Sequence, residues 1–245
     1  MEENIAPQDK QPLRARHERD EAVRVARLLD AQSKAAELFV AVEQGRILRP
    51  GVTDSGASDA VRDLAAERFG VRRHWHKRIV RSGPNTLRPY QESPPDRTLQ
   101  DDDIVFADFG PIFEGWEADF GRTWVLGTDP VKQRLRDDLP RIFDAGKRFF
   151  REHAAVTAAQ LYAEIVRLAA ERGWQFGNHH CGHLVGEFPH ENLDGSRIDS
   201  LIAADNHVPL RGKDPSGRVA HWILEVHLVD RERQIGGFHE ELLTV

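Results

Sequence analysis

The chain has 245 residues, a formal net charge of −6 at pH 7 and a single cysteine, Cys181. That length can bury a core large enough to fold without disulfides, and one cysteine excludes an intramolecular disulfide framework. The sequence pI of about 6.1 gives no basic footprint for nucleic acid, and no apolar run approaches the roughly 18 residues of a membrane span. The first residues lack the apolar core of a signal peptide, so we expect a cytoplasmic protein without nucleic-acid or membrane partners.

The N-terminal region divides into two parts. Residues 1–16 are polar and charged with little periodicity, which predicts a poorly ordered arm before a single domain at 17–245. From Glu18 to Glu43 apolar residues recur at helical spacing, and the pattern stops before Pro50-Gly51. This predicts one long amphipathic helix.

Two later segments resemble each other. Residues 51–70 and 155–173 align without gaps at an offset of 104, and both contain Val-Thr followed by Leu-Ala-Ala-Glu-Arg. Each has a threonine placed to cap a helix and a glycine placed to end it: Thr53 with Gly70, and Thr157 with Gly173. Good helix formers can recur by chance. The other interpretation is an internal duplication that gives two α/β halves.

Strand-rich stretches follow both of those helices. Residues 101–127 read as two strands around Glu114-Gly115, and residues 221–245 read as two strands around positions 230–237. Between the halves, residues 129–153 have a helical pattern with a break or kink expected near Pro140. The predicted fold class is therefore mixed α/β (α+β), built around antiparallel hairpins.

Five candidate metal ligands stand on segments that read as strands or strand edges: Asp108, Asp119, His183, Glu225 and Glu240. Carboxylate oxygens suit Mg, Mn or Ca, while one imidazole shifts the preference toward Mn, Fe, Co or Zn. An unpaired charge inside the apolar strands IVFADFG or WILEV would be costly. The set therefore predicts two divalent metal ions, with Mn, Fe or Co favoured over Zn, at a hydrolytic site.

Hairpin geometry supports this prediction. A hairpin centred just after Phe113 would place Asp108 opposite Asp119, with Cβ atoms about 4.5–5.5 Å apart. Two carboxylates that close repel each other unless a cation joins them. Glu225 and Glu240 repeat the arrangement about the centre of the second pair of strands.

In this order the motifs resemble those of the pita-bread metallopeptidases, a family that includes methionine aminopeptidases, Xaa-Pro aminopeptidases and dipeptidases, and the non-peptidase creatinases. The likeness spans roughly residues 20–245. It rests on DFG and ADFGRT, on CGHLVGEFPHE, on ILEVH and on the terminal GGFHEELLTV. It implies the pita-bread fold, whose pseudo-twofold duplicated halves account for the repeat.

The resemblance also implies which residue holds which ion. By position, Asp119 and Glu240 bridge the two ions. Asp108 completes the first site, and His183 with Glu225 completes the second. A water or hydroxide between the ions is then the expected nucleophile.

Two further residues receive roles from the resemblance. Glu225 is expected to move the proton of the nucleophile, and His190 to donate a hydrogen bond to the tetrahedral intermediate, so both are candidate catalytic residues and His190 also contacts substrate. Cys181 is expected to be a small buried residue beside the site rather than a nucleophile.

The sequence departs from the family in several places. Where its peptidases carry a histidine after proline, this chain has Tyr90, a candidate substrate-binding residue that can donate a hydrogen bond but cannot accept a proton as imidazole does. His74 and His76 are candidates to compensate, although exposure of both is the favoured prediction. GHLVG replaces the usual GHGxG, and the roughly 45 residues before the duplicated unit are too few for the N-terminal domain of the prolidase and creatinase branches.

Three functions stay open at this point. The first is a dinuclear metal hydrolase of a short peptide (Xaa-Pro or N-terminal residue) or amino-acid amide. The second is a pita-bread enzyme that acts on a small metabolite, by C–N hydrolysis or with a single redox metal, which Tyr90 and the altered glycines motivate. The third, a non-catalytic binding protein, is disfavoured because the ligand set is intact. The expected partner is a small peptide or small molecule, and a homodimer is left open.

Overall fold

We describe the fold from a computed structural model that covers residues 10–189 and 198–245, with side chains from Arg19 onward. Its helices are α1 Lys10–Gln44, α2 Asp54–Phe69, α3 Pro130–Glu152 and α4 Ala158–Glu171. None of the helices in these ranges combines the length and the apolar composition that crossing a membrane requires. The long first helix predicted from Glu18 is present, and it begins at Lys10, inside the segment that the sequence assigns to an arm.

Helices α2 and α4 begin at the threonines that the repeat predicted. Thr53 Oγ1 accepts a hydrogen bond from the Gly56 N–H at 3.0 Å, and Thr157 Oγ1 accepts one from the Gln160 N–H at 3.3 Å. The Gln160 side chain accepts from the Thr157 N–H at 3.0 Å, which completes a capping box. Gly70 ends α2 in the left-handed conformation, with φ 67°.

The proline inside α3 does not break the helix. Of the break or kink predicted near Pro140, the break is absent, because α3 runs without interruption from Pro130 to Glu152. Apolar side chains on both sides of the proline are buried in one core: Leu135, Leu139, Ile142 and Phe143. Their burial offsets the lost backbone hydrogen bond, so the expected break does not occur.

The main sheet consists of two matching halves. The strands are β1 Ile79–Ser82, β2 Ile104–Phe109, β3 Ile112–Phe113, β4 Trp116–Glu117, β5 Phe120–Val125, β6 Gln175–Phe176, β7 His180–His183, β8 Leu201–Ala203, β9 Ile223–Asp230 and β10 Ile235–Leu242. Six of them form an antiparallel sheet in the order β1-β2-β5-β10-β9-β6, while β3 pairs with β4 and β7 with β8. Each half supplies an edge strand and a hairpin, and the halves meet where β5 pairs with β10.

Both predicted hairpins are present. The first turns at Glu114 and Gly115, whose φ angles of 52° and 90° are those of a tight turn that connects twisted strands. The second pairs Asp230 with Ile235. The mixed α/β fold built around antiparallel hairpins is therefore confirmed.

The two faces of the sheet have different neighbours. The apolar residues of β9 pack against α3 and α4, and those of β2 pack against α1 and α2: Leu224, Val226 and Leu228, and Val105, Ala107 and Phe109. Glu225 and His227 alternate with the β9 set and line a cavity on the opposite face. The helices therefore cover one face and leave the other to the candidate site.

Candidate metal centre

The uncovered face of the sheet carries a cavity of about 530 Å³, within the size range of small-molecule sites. The side chains of all five predicted metal ligands line it and are buried. Tyr90 also lines it, at 37% exposure. His190 lies outside the described residues. The five predicted metal ligands and Tyr90 therefore meet at one cavity, whereas His74 does not line it.

Four neighbouring strands bring three carboxylates into one row. Asp108 on β2 pairs with Gly121 on β5, Gly121 pairs with Glu240 on β10, and Glu240 pairs with Glu225 on β9. Directly paired residues of antiparallel strands point to the same face, so these carboxylates face the cavity together. The predicted pairing of Glu225 with Glu240 is confirmed. Gly121 contributes no side chain to the space between Asp108 and Glu240.

The register of the first hairpin differs from the prediction. Asp108 pairs with Gly121 rather than with Asp119, because the hairpin is centred between Glu114 and Gly115, one residue after the centre that would pair the two aspartates. Asp119 directly precedes β5 and reaches the same face from a diagonal position. The predicted direct pairing of the two aspartates is wrong, although their side chains meet in the same cavity.

Three carboxylates surround one nitrogen of His183. Its Nε2 lies 3.0 Å from Asp119 Oδ2, 3.7 Å from Glu240 Oε1 and 3.9 Å from Glu225 Oε1. On the other side of the ring, Nδ1 lies 2.8 Å from the carbonyl oxygen of Leu184. Because a carbonyl only accepts, Nδ1 donates, and Nε2 of the neutral ring keeps its lone pair for a ligand.

A second histidine has the same arrangement on the other side of Asp119. His76 Nε2 lies 3.0 Å from Asp119 Oδ1 and 3.5 Å from Asp108 Oδ1, and its Nδ1 lies 2.7 Å from the Lys77 carbonyl oxygen. The His76 side chain is only 6% exposed and His74 is half-buried. The favoured prediction that both histidines are exposed is therefore wrong.

The donor atoms have separations suited to shared ions. Two ligand atoms about 2.1 Å from one ion, at octahedral or tetrahedral angles, lie about 3.0–3.4 Å from each other. Two groups of three donors, each within 4.8 Å of one another, share Asp119: one adds His76 and Asp108, the other adds His183 and Glu240. Asp119 offers one oxygen to each group, as a bridging carboxylate does.

Buried oxygens without partners show that the cavity fits cations. Asp108 Oδ1 and Glu240 Oε2 have no hydrogen-bond partner among the described residues. Burial raises the pKa of Asp108 to about 7, with His76 opposing and Asp119 adding to the rise. Burial, together with the charge of Asp119, also raises the pKa of Glu240 well above its usual value. Crowded buried carboxylates are costly unless positive charge joins them, which divalent ions would do.

Both histidines respond to these carboxylates. Burial lowers the pKa of His76, but the charges of Asp119 and Asp108 outweigh it and raise that pKa to about 9. Burial likewise lowers the pKa of His183, and the hydrogen bond and charge of Asp119 outweigh it, which raises the pKa to about 9. Burial raises the pKa of Asp119, but the two histidines hold it below its usual value. Protons and metal ions therefore compete for the two Nε2 atoms.

Other side chains at the cavity were missed by sequence reasoning. His180 Nδ1 lies 3.3 Å from Glu225 Oε1, and its place three residues before His183 is a signal that could have been used. Buried His227 donates from Nε2 to the Thr86 carbonyl at 2.8 Å. The position of His227 depends on this contact with a residue distant in sequence, and no local motif indicates it.

A buried arginine holds the loop that carries Tyr90. Arg81 donates to the carbonyls of Arg88, Pro89 and Glu92, the last two at 2.9 and 2.7 Å. The Tyr90 ring lies 5.8 Å from that of His76, and its hydroxyl accepts a hydrogen bond from the Lys77 N–H at 3.4 Å. Tyr90 is thereby placed at the edge of the cavity, beside the candidate metal ligands.

Comparison with known proteins agrees with this geometry. Residues 26–217 match the model of metallopeptidase family M24. The chain belongs to this family. A putative Xaa-Pro aminopeptidase of Mycoplasma genitalium is 23% identical to this M24 chain over 184 residues, which are 74% of the chain and 51% of the relative. An Xaa-Pro dipeptidase of Lactobacillus delbrueckii subsp. lactis is 26% identical over 179 residues, 67% of the chain and 47% of the relative.

The M24 chain thus spans about half the length of the curated relatives it matches. Among solved structures, an X-Pro aminopeptidase from Thermotoga maritima has a TM-score of 0.70 at 19% identity and is matched over 91% of this chain and 61% of its own. Dipeptidase PepE from Mycobacterium ulcerans has a TM-score of 0.66 at 26% identity, over 89% and 55%. These likenesses confirm the pita-bread fold that the resemblance implied.

Proposed function

We propose that this M24 chain is a dinuclear metal hydrolase that cleaves a short peptide, at an Xaa-Pro bond or after the N-terminal residue, or an amino-acid amide. The observation that carries the proposal is that Asp119 is shared by two groups of buried donor atoms. Two bound divalent ions, with Mn, Fe or Co favoured, would lower the pKa of a water molecule and polarise the scissile carbonyl.

The proposed ligand set is that expected from the sequence: Asp108, Asp119, His183, Glu225 and Glu240. Asp119 and Glu240 are assigned as the bridging pair, and the two oxygens of Asp119 support this because each faces a different histidine. Glu225 lies at the end of the carboxylate row beside Glu240, where it is near enough to hold an ion and to take the proton of the nucleophile.

The cavity walls support a small, partly apolar substrate. Aromatic side chains line it above the anionic floor: Trp75, Phe106, Phe188 and Phe238. A proline ring or a short apolar side chain can pack against such walls while its carbonyl lies near the ions. Tyr90 at the edge is assigned to donate a hydrogen bond to substrate, and His190 to stabilise the tetrahedral intermediate.

The test is a substrate panel with defined metal content. Metal-free protein is loaded with Mn, Fe(II), Co or Zn and offered Xaa-Pro dipeptides, peptides with N-terminal Met, and amino-acid amides. The expected result is cleavage of at least one class, abolished by Asp119→Asn and unaffected by Asp137→Asn, which changes an exposed acid on α3. A fully loaded protein that cleaves none of these substrates would overturn the proposal.

A second candidate is a pita-bread enzyme that acts on a small non-peptide metabolite. Two observations favour it: Tyr90 replaces the histidine of the family's peptidases, and His180 adds an imidazole 3.3 Å from Glu225. Release of ammonia or amine from non-peptide amides, with no cleavage of dipeptides, would select this candidate. Cytoplasmic location and a homodimer stay predictions.

A further inference from the structure

The five ligands of the proposed function supply only one nitrogen, which comes from His183. We infer that His76 is a sixth protein ligand and binds the ion held by Asp108 and Asp119, so that each ion of the pair has one imidazole. The inference rests on the proposed dinuclear site and specifies its chemistry.

The position of His76 Nε2 is that of a ligand atom. It lies 3.0 Å from Asp119 Oδ1 and 3.5 Å from Asp108 Oδ1, close to the spacing of about 3.0–3.4 Å between ligands on one ion. Its other nitrogen, Nδ1, donates a hydrogen bond to the Lys77 carbonyl. In the neutral ring, Nε2 therefore keeps the lone pair that can bind a metal ion. Asp108 Oδ1, which faces it, is buried and has no hydrogen-bond partner among the described residues.

The backbone around Gly110 is built to seat this ring. A Cβ on Gly110 would lie 2.5 Å from His76 Nε2, so any other residue would displace the imidazole. The Trp75 N–H donates to the Gly110 carbonyl at 2.9 Å, which fixes the segment before β1 against the loop after β2. The ring is therefore held in place before a metal binds, as a preorganised ligand must be.

The indole of Trp75 orients both imidazoles. Its ring centroid lies 4.4 Å from that of His76 and 5.2 Å from that of His183, edge to face in both cases. Its Nε1 donates to the Ala118 carbonyl at 2.9 Å, next to Asp119. One side chain thus packs against the two histidines that face opposite oxygens of the same aspartate.

A second imidazole changes the metal preference expected of the site. A site with only oxygen ligands would accept Mg or Ca, whereas an imidazole favours Mn, Fe, Co or Zn. With His76 as a ligand, both positions select a transition metal. Mg or Ca at millimolar concentration should then displace neither ion.

The test titrates Co(II) into the metal-free full chain and into two variants, His76→Ala and His74→Ala. His74 is the matched control because it is two residues away, half-buried against Phe109, and belongs to neither donor group. Ions per chain, each dissociation constant and the visible absorption of Co(II) are measured. We expect two ions in the wild type and in His74→Ala, and in His76→Ala one tight ion plus a second bound about tenfold or more weakly, with a changed spectrum.

The outcomes separate the two claims. If His76→Ala binds both ions with wild-type affinity and spectrum, the inference is wrong and the proposed function stands. A wild-type chain that binds no divalent ion overturns both. If His76→Ala fails to fold by circular dichroism, anomalous diffraction from wild-type crystals loaded with Mn or Zn decides instead. An Nε2-to-metal distance of about 2.0–2.3 Å supports the inference, and a distance above about 3 Å overturns it.

Discussion

Replacing Gly121 with alanine tests whether the carboxylate row requires a residue without a side chain between Asp108 and Glu240. A Cβ there would lie 2.5 and 2.7 Å from Phe238 Cδ1 and Cε1 and 3.1 Å from Glu240 Cβ. Carbon atoms in contact normally lie about 3.5–4.0 Å apart, so the Phe238 ring must move by about 1 Å. Because that ring is packed against Ile79 and Phe106, we expect a loss of about 1–3 kcal/mol of unfolding free energy, or roughly 2–12 °C in Tm.

The same substitution should weaken metal binding. The Glu240 backbone has to shift by a few tenths of an ångström, whereas ligand distances tolerate only about 0.2 Å, so affinity should fall about tenfold. Gly237→Ala is the control, because a Cβ there meets Leu135 and Leu139 of α3 at 2.7 and 2.9 Å, on the covered face. It should lower Tm without changing metal affinity.

Thermal unfolding is followed by circular dichroism in metal-free buffer, and Mn binding by calorimetry. The reasoning is refuted if Gly121→Ala binds both ions as tightly as the wild type. It is equally refuted if Gly237→Ala weakens metal binding as much as Gly121→Ala does.

Metal binding, the cap of α4 and the buried His227 each give a further measurable prediction. Adding Mn at 100 times the dissociation constant of each site to metal-free protein should stabilise it by about 2.7 kcal/mol per bound ion, so two ions should raise Tm by roughly 11–22 °C. An unchanged melting curve would contradict the cation site. Thr157→Ala should cost about 1 kcal/mol in urea unfolding because it removes the capping box of α4, while Thr157→Ser should cost little; equal losses would refute this account of the cap. Burial lowers the pKa of His227 to about 4, so between about pH 6.5 and 4 this residue binds a proton in the unfolded chain and not in the folded chain. Its contribution to stability should therefore fall by up to about 3 kcal/mol as pH falls through that window. His227→Gln can still donate to Thr86, and the difference in unfolding free energy between this variant and the wild type should change with pH by that amount; a difference that does not depend on pH would count against it.

Local signals predicted much of the fold. Thr53 and Thr157 cap their helices as the repeat indicated, because a cap depends on residues three positions apart. The break expected at Pro140 is absent for the opposite reason. Whether a helix continues through a proline depends on the core that its flanks bury, and that core is assembled from strands distant in sequence.

The candidate site likewise has features that local sequence predicts and features that depend on contacts distant in sequence. Asp108 and Glu225 could be singled out because a charge inside an apolar strand is costly without a partner. The register that sets Asp108 opposite Gly121 depends on the centre of the hairpin, and the centre expected just after Phe113 is one residue too early. The burial of His76 depends on the space above Gly110, a contact between loops that leaves no periodicity in the sequence.

The most direct test of the account is the number of metal ions per chain. Protein loaded with Mn and then desalted is measured by elemental analysis, beside Asp108→Ala and Asp119→Ala. Because Asp119 belongs to both donor groups and Asp108 to one, we predict two ions in the wild type, one in Asp108→Ala and none held tightly in Asp119→Ala. A wild-type chain without metal, or an Asp119→Ala chain that keeps both ions, would contradict the shared dinuclear site.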